Sequence, residues 1–111
     1  MLEEGRLGGT QILSPESVAR MTTDHLTPEQ KAVSPFAGLF DRHGWGFGVA
    51  VATERDELGR SPGAFGWDGG LGTSWWSDRK EGIVGVLLTQ RAWTSPSPPE
   101  VCRAFWHAIY S

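Results

Sequence analysis

Along residues 45–53 the side chains alternate between bulk and near-absence. Trp45, Phe47, Val49, Val51 and Thr53 are large or β-branched, and Gly46, Gly48, Ala50 and Ala52 between them are small. A period of two puts the two sets on opposite faces of an extended chain, so the pattern predicts one strand through 45–53. One of its faces is bulky and the other smooth enough to seat a helix. The run Ile83-Val-Gly-Val-Leu-Leu-Thr89 is apolar at every position but the last, which predicts a strand covered on both sides. Between them, 63–77 reads as a strand interrupted at Gly69 and Gly70 and resumed at about Thr73. The polar stretch Asp78-Arg-Lys-Glu-Gly82 then predicts a tight turn.

Helical spacing appears at both ends of the chain. Ser14-Pro15-Glu16 supplies an N-cap, a proline at the first helical position and an acid in the first turn. Leu13 and Val18 are spaced as a hydrophobic staple, so a short helix to about Thr23 should bury Val18 and Met21. Thr27-Pro-Glu-Gln30 repeats the capping pattern over another short turn, and 34–43 reads as loop. Near the end, Ser97-Pro-Pro-Glu100 predicts a capping box, followed by a helix with Val101, Cys102, Phe105, Ala108 and Ile109 on one face. That helix is expected on the smooth face of the 45–53 strand. The glycine-rich residues 1–13 read as a connection whose upstream half is missing, and 54–62, charged and containing glycine and proline, as an exposed mobile loop.

The expected class is therefore α+β: an antiparallel sheet of about three strands (45–53, 63–77 and 83–90) packed by a C-terminal helix. The chain divides into a helical and loop lead over 1–44, the sheet over 45–90 and the helix over 97–110, all within one partial domain spanning 1–111.

Composition narrows the partners. A chain of 111 residues makes one modest core, burying roughly 65% of its unfolded surface. The net charge of −3 and the lack of any Lys/Arg cluster among the aromatics argue against nucleic acid. No apolar run approaches the ~20 residues of a membrane helix, and the start Met-Leu-Glu-Glu is too acidic for a signal peptide. The chain as it stands reads as cytoplasmic, with no membrane partner. The single cysteine, Cys102, excludes an internal disulfide and a cysteine metal site, and reads as a small buried hydrophobe.

Candidate chemistry concentrates in Gly63–Trp76, which holds five of the 15 glycines and three of the 6 tryptophans. Bare backbone beside flat rings lets a ligand approach the main chain closely. Trp75 and Trp76, with Trp93, either wall a cleft or fill core. Asp68 either positions a substrate group or holds a turn. No nucleophile is evident. Ser77-Asp-Arg-Lys80 matches Ser-x-x-Lys formally but sits at a turn, where the serine and lysine have no helix to place them on one face. Ser17-Val-Ala-Arg20 is helical, yet its arginine cannot lose a proton to act as base. His25, His43 and His107 lack the spacing of a metal pair, so neither a metal site nor a cofactor is expected.

Four separated segments, taken in order, resemble a known family. They are Gly9-Thr-Gln-Ile-Leu-Ser-Pro-Glu-Ser-Val18, Gly44-Trp-Gly-Phe-Gly48, Phe65-Gly-Trp-Asp-Gly-Gly70 and Leu87-Leu-Thr-Gln-Arg91. Their succession is similar to the C-terminal region of the β-lactamase-related serine hydrolases, which include class C β-lactamases, D-alanyl-D-alanine carboxypeptidases (penicillin-binding proteins) and esterases. In that family Ser-x-x-Lys, Tyr-x-Asn and Lys-Thr-Gly or His-x-Gly build the site. The resemblance implies a counterpart of the third motif alone, at Trp67-Asp68-Gly69. Trp67 stands where the family has its cation, and the Gly70 N–H is the implied oxyanion donor. Tyr-x-Asn has no counterpart, because the chain contains no asparagine and its one tyrosine is Tyr110.

The resemblance thus implies the C-terminal fragment of a serine hydrolase acting on a small ester or amide, catalytically incomplete alone. Its expected partner is the missing N-terminal half or, as a homo-oligomer, another copy. The other function class open at this point is a small tryptophan-rich module that binds a sugar or flat ligand without catalysis.

Overall fold

The computed structural model describes residues 2–36 and 38–111. Glycines 5, 8 and 9 do break the lead into turns, and around them β1 (Arg6–Leu7) pairs with β2 (Thr10–Gln11) as a two-residue ladder. Helix α1 (Pro15–Met21) starts as the sequence predicts. The Ser14 side chain accepts from the Ser17 N–H, Pro15 occupies the first turn, and Val18 is fully buried while Met21 is half-buried. In α2 (Pro28–Ala32) Thr27 and Gln30 form a reciprocal capping box. Asp24, between the two helices, fastens this lead to the sheet. Its carboxylate accepts from the Trp45 N–H at 3.1 Å and pairs with Lys31 at 2.6 Å. A Cβ at Gly44 would collide with it.

The main sheet is antiparallel with five strands rather than about three, in the order β3 (His43–Trp45), β4 (Ala50–Ala52), β5 (Phe65–Gly69), β6 (Thr73–Asp78) and β7 (Ile83–Leu88). The extra strand comes from 45–53. Instead of one strand, the chain reverses through Gly46–Val49, where Gly48 takes φ +81° and the Gly46 N–H donates to the Val49 carbonyl at 2.8 Å. His43 then pairs with Ala52 and Trp45 with Ala50. The alternating small residues satisfied a strand pattern and a hairpin equally, and a positive φ at glycine decided for the hairpin. Within β4 the alternation still sorts the faces. Ala50 and Ala52 join one core cluster with Leu58, Ala64, Trp76, Cys102 and Trp106, and Val51 joins Val49 and Phe65 in another, which Trp75 flanks.

Helix α3 (Glu100–Tyr110) covers the first of these clusters, but its seat is β7 rather than the 45–53 strand. Gly85 permits the approach, since a Cβ there would lie 2.4 Å from the Trp106 ring. The start of α3 also departs from expectation. Pro99 is the N-cap residue and makes no side-chain cap, so the Ser97 box does not form. Cys102 is buried as expected, while Val101 is half exposed and Trp106, absent from the predicted face, is fully buried.

Two further expectations fail for burial reasons. Strand β7 is covered on one side only, and Val84, Val86 and Leu88 are 53%, 54% and 74% exposed. The 54–62 segment is not a loose loop either, because Asp56, Leu58, Arg60 and Ser61 are all buried.

Candidate active site

Trp67, Asp68 and Gly69, which the sequence resemblance assigns to the third motif, lie on β5, and alternation along that strand sends their side chains to different faces. Asp68 faces α3 together with its ladder partner Ser74. Trp67, paired with Trp75, takes the opposite face, where it is 44% exposed and its ring meets Trp45 edge-on at 4.9 Å. Gly69 closes the ladder opposite Thr73, and Gly70 opens the turn into β6. The Gly70 carbonyl accepts from the Trp93 N–H at 2.8 Å, and a Cβ on Gly70 would meet nothing within 4 Å. The end of the strand thus carries a half-exposed indole at Trp67 and open space around Gly70.

The Asp68 carboxylate is turned to the α3 side of the sheet and engaged there. Its Oδ1 accepts from the Ser74 hydroxyl and from Trp76 Nε1 at 3.1 Å, and its Oδ2 lies 3.5 Å from Arg60 Nη1. Arg60 in turn donates from Nε to Asp56 Oδ2 at 2.5 Å and lies 3.9 Å above the Trp76 ring. Asp56 also receives the backbone N–H groups of Leu58 and Arg60, each at 3.0 Å, and contacts His43 Nε2 at 3.2 Å. Trp106 Nε1 donates to Ser74 Oγ at 2.8 Å, which carries the network into α3. A buried guanidinium between two carboxylates, stacked on an indole, thus ties the 54–62 segment to β5 and β6.

This network has a pH signature. Burial alone would raise the Asp56 carboxyl, but the His43 hydrogen bond and the Arg60 charge outweigh it and hold it at about 2, against an ordinary 3.8. Because the folded value is depressed, the stabilisation is complete above the unfolded value and is lost as pH falls from about 4 through about 2. It amounts to about 2 kcal/mol. Urea midpoints at pH 6, 4 and 2.5 should fall steeply for the native chain and less steeply for Asp56→Asn. Asp24 and Asp78, also lowered, supply the remaining drop. At Cys102, burial and then the Asp68 charge push the thiol up, which suits packing rather than nucleophilic chemistry.

The other candidates separate. Trp76 is 2% exposed and belongs to the core, so it walls no cleft, and Trp75 is half-buried against Phe65. Ser77 is buried on β6 while Lys80 is exposed in the following turn, so their Ser-x-x-Lys spacing brings no base to the hydroxyl. Ser17 is engaged with Ser14 at the start of α1. His25 contacts the Arg20 carbonyl and stacks on Phe47, His43 joins Asp56, and His107 is exposed on α3. Among the described residues no group of three or more His, Cys, Asp or Glu side chains could hold a metal, and no helix is long and apolar enough to cross a membrane.

The Asp56–Arg60–Asp68 network was missed in the sequence. Its only local trace was the i, i+4 pair Asp56 and Arg60, which looks like any charged loop until the sheet brings Asp68 and Trp76 to it.

The β-lactamase family model matches residues 3–102. Protein Rv1367c of Mycobacterium tuberculosis is 37% identical over 97 residues, which cover 81% of this chain and 24% of that protein. The chain therefore spans about a quarter of the length of that curated relative. Among solved structures, EstCE1, described as a hydrolase with promiscuous acyltransferase activity, superimposes with a TM-score of 0.72 at 28% identity, over 99% of this chain and 27% of its own. The simvastatin synthase LovD of Aspergillus terreus gives a TM-score of 0.69 at 27% identity, over 98% of this chain and 30% of its own. The chain belongs to the β-lactamase family, with hydrolases and acyltransferases as its structural neighbours.

Proposed function

We propose that this chain is the third-motif portion of a β-lactamase-related serine hydrolase, acting in the whole protein on a neutral ester or amide. The observation that carries the reading is the end of β5, where Trp67 is half-exposed and, three residues on, a Cβ on Gly70 would meet nothing within 4 Å. In this role the Gly70 N–H donates to the carbonyl oxygen as negative charge develops on it, a contribution of roughly 3 to 4 kcal/mol for one oxyanion donor. Trp67 lines the approach by stacking and by its single N–H. An indole carries no positive charge, so it offers no partner for the carboxylate of a β-lactam at that position, and an uncharged ester fits it better.

The attacking serine and its base lie outside these residues in this reading, which makes the chain catalytically incomplete alone. The burial of Ser77 away from Lys80 supports this. The competing tryptophan-rich binding module finds less support, because Trp76 is in the core and Trp75 half-buried. The purified chain should turn over neither p-nitrophenyl acetate nor nitrocefin above background. Ester turnover that disappears in Ser77→Ala would overturn the reading.

A further inference from the structure

The loop after β5 carries Gly70, and its hydrogen bonds decide where the Gly70 N–H points. Gly70, Leu71 and Gly72 join Gly69 to its ladder partner Thr73, and Gly72 takes φ +105°. A three-residue hairpin loop closed by a glycine in the left-handed region has this form. The Gly72 N–H donates to the Gly69 carbonyl at 2.9 Å, which orients the peptide between Gly69 and Gly70. That peptide is planar and trans, so the Gly70 N–H points opposite to the held Gly69 oxygen and away from the loop interior. Among the described residues this N–H has no hydrogen-bond partner. The bond on the Gly69 carbonyl also polarises the peptide, which strengthens its N–H as a donor.

The segment after β7 holds this loop in place. A Cβ on Gly70 would meet nothing within 4 Å, so side-chain packing does not place that residue. Backbone grips do. Thr89 holds the Gly72 carbonyl twice, from its N–H at 2.9 Å and from its hydroxyl at 2.8 Å. Further along, the Trp93 N–H donates to the Gly70 carbonyl at 2.8 Å. Gly72 is pressed against the same segment, since a Cβ there would collide with Thr89 Oγ1 and with the Arg91 carbonyl. The segment has its own anchor, because the Trp93 ring packs on the core cluster that α3 covers. Of these bonds, only the one from the Thr89 hydroxyl depends on side-chain chemistry. The others come from backbone groups that any residue but proline supplies.

We infer that Thr89 is a positioning residue for the Gly70 oxyanion donor and acts through Gly72, an inference that rests on the role proposed for Gly70. Its hydroxyl holds Gly72, Gly72 holds the Gly69 carbonyl, and that carbonyl sets the direction of the Gly70 N–H. Thr89 itself touches no reacting atom in this arrangement.

Residue-resolved amide spectra of the chain test this with Thr89→Val, which keeps the branched shape and removes the hydroxyl. The Gly72 amide should exchange roughly tenfold faster, the equivalent of one hydrogen bond, and the Gly70 cross-peak should leave its native position. Thr89→Ser should return both to native values. Val18→Ala instead removes buried volume from α1, so it should lower the urea midpoint and leave the Gly70 cross-peak unmoved. Native Gly72 exchange in Thr89→Val would overturn the inference, as would a Gly70 cross-peak that moves equally in Val18→Ala. The role of Gly70 is checked separately in the native chain, where its amide should exchange within the dead time. A protected Gly70 amide would mean that the donor is already engaged, and would overturn the oxyanion role whatever Thr89 does.

Discussion

Replacing Arg60 by leucine should cost about 3 to 5 kcal/mol, enough to leave a chain of this size partly unfolded at 25 °C. Arg60 is 3% exposed and bridges Asp56, at 2.5 Å, to Asp68, at 3.5 Å. Leucine fills much of the space above Trp76 but leaves Asp56 and Asp68 without the guanidinium they share. The cost is therefore that of an uncompensated buried charge rather than of lost packing. The comparison that isolates the cause is the triple variant Arg60→Leu, Asp56→Asn, Asp68→Asn. With both carboxylates neutralised it should recover a substantial part of the loss in urea midpoint. Equal midpoints for the single and triple variants would show that charge is not what Arg60 provides.

Trp106→Ala should cost about 3 to 5 kcal/mol by a different route. The indole is fully buried, packs on Gly85 and donates to Ser74 Oγ at 2.8 Å. Its loss opens a cavity between α3 and β7 and removes the indole donor from the Ser74 hydroxyl. Trp106→Phe keeps most of the volume and loses the donor, so it should fall between the alanine variant and the native chain. Urea denaturation with an unchanged slope checks both, because a changed slope would mean the native state itself had loosened. A loss below 1 kcal/mol in Trp106→Ala would mean that α3 is not held through this ring.

What the sequence made legible follows from how local each signal was. The α1 and α2 caps depend on residues three apart, and Ser14 and Thr27 make the bonds that their spacing predicts. The break at Gly69 and Gly70 and the turn at Asp78–Gly82 likewise rest on local chemistry, with the Asp78 carboxylate accepting from the Lys80 and Glu81 N–H groups. The four ordered segments pointed to the right family. The 45–53 hairpin was illegible because its glycines fit both a strand and a turn. The burial of 54–62 was illegible because it depends on Asp68 and Trp76, brought there by β5 and β6 rather than by sequence neighbours. Strand β7 misled for a related reason: an apolar run states that a strand is hydrophobic on two faces, not that something covers both. At the motif, the residue pattern located Trp67 to Gly70 but could not tell which way Asp68 turns, since that follows from the placement of Arg60.

The central claim is that these residues carry the third-motif strand of a serine hydrolase and not its nucleophile. Intact-mass spectrometry of the folded chain after incubation with excess fluorophosphonate, a reagent that forms a covalent adduct with activated serines, tests it most directly. The account predicts an unmodified mass. A stoichiometric adduct on Ser77 or Ser17, abolished by unfolding the chain first, would contradict it.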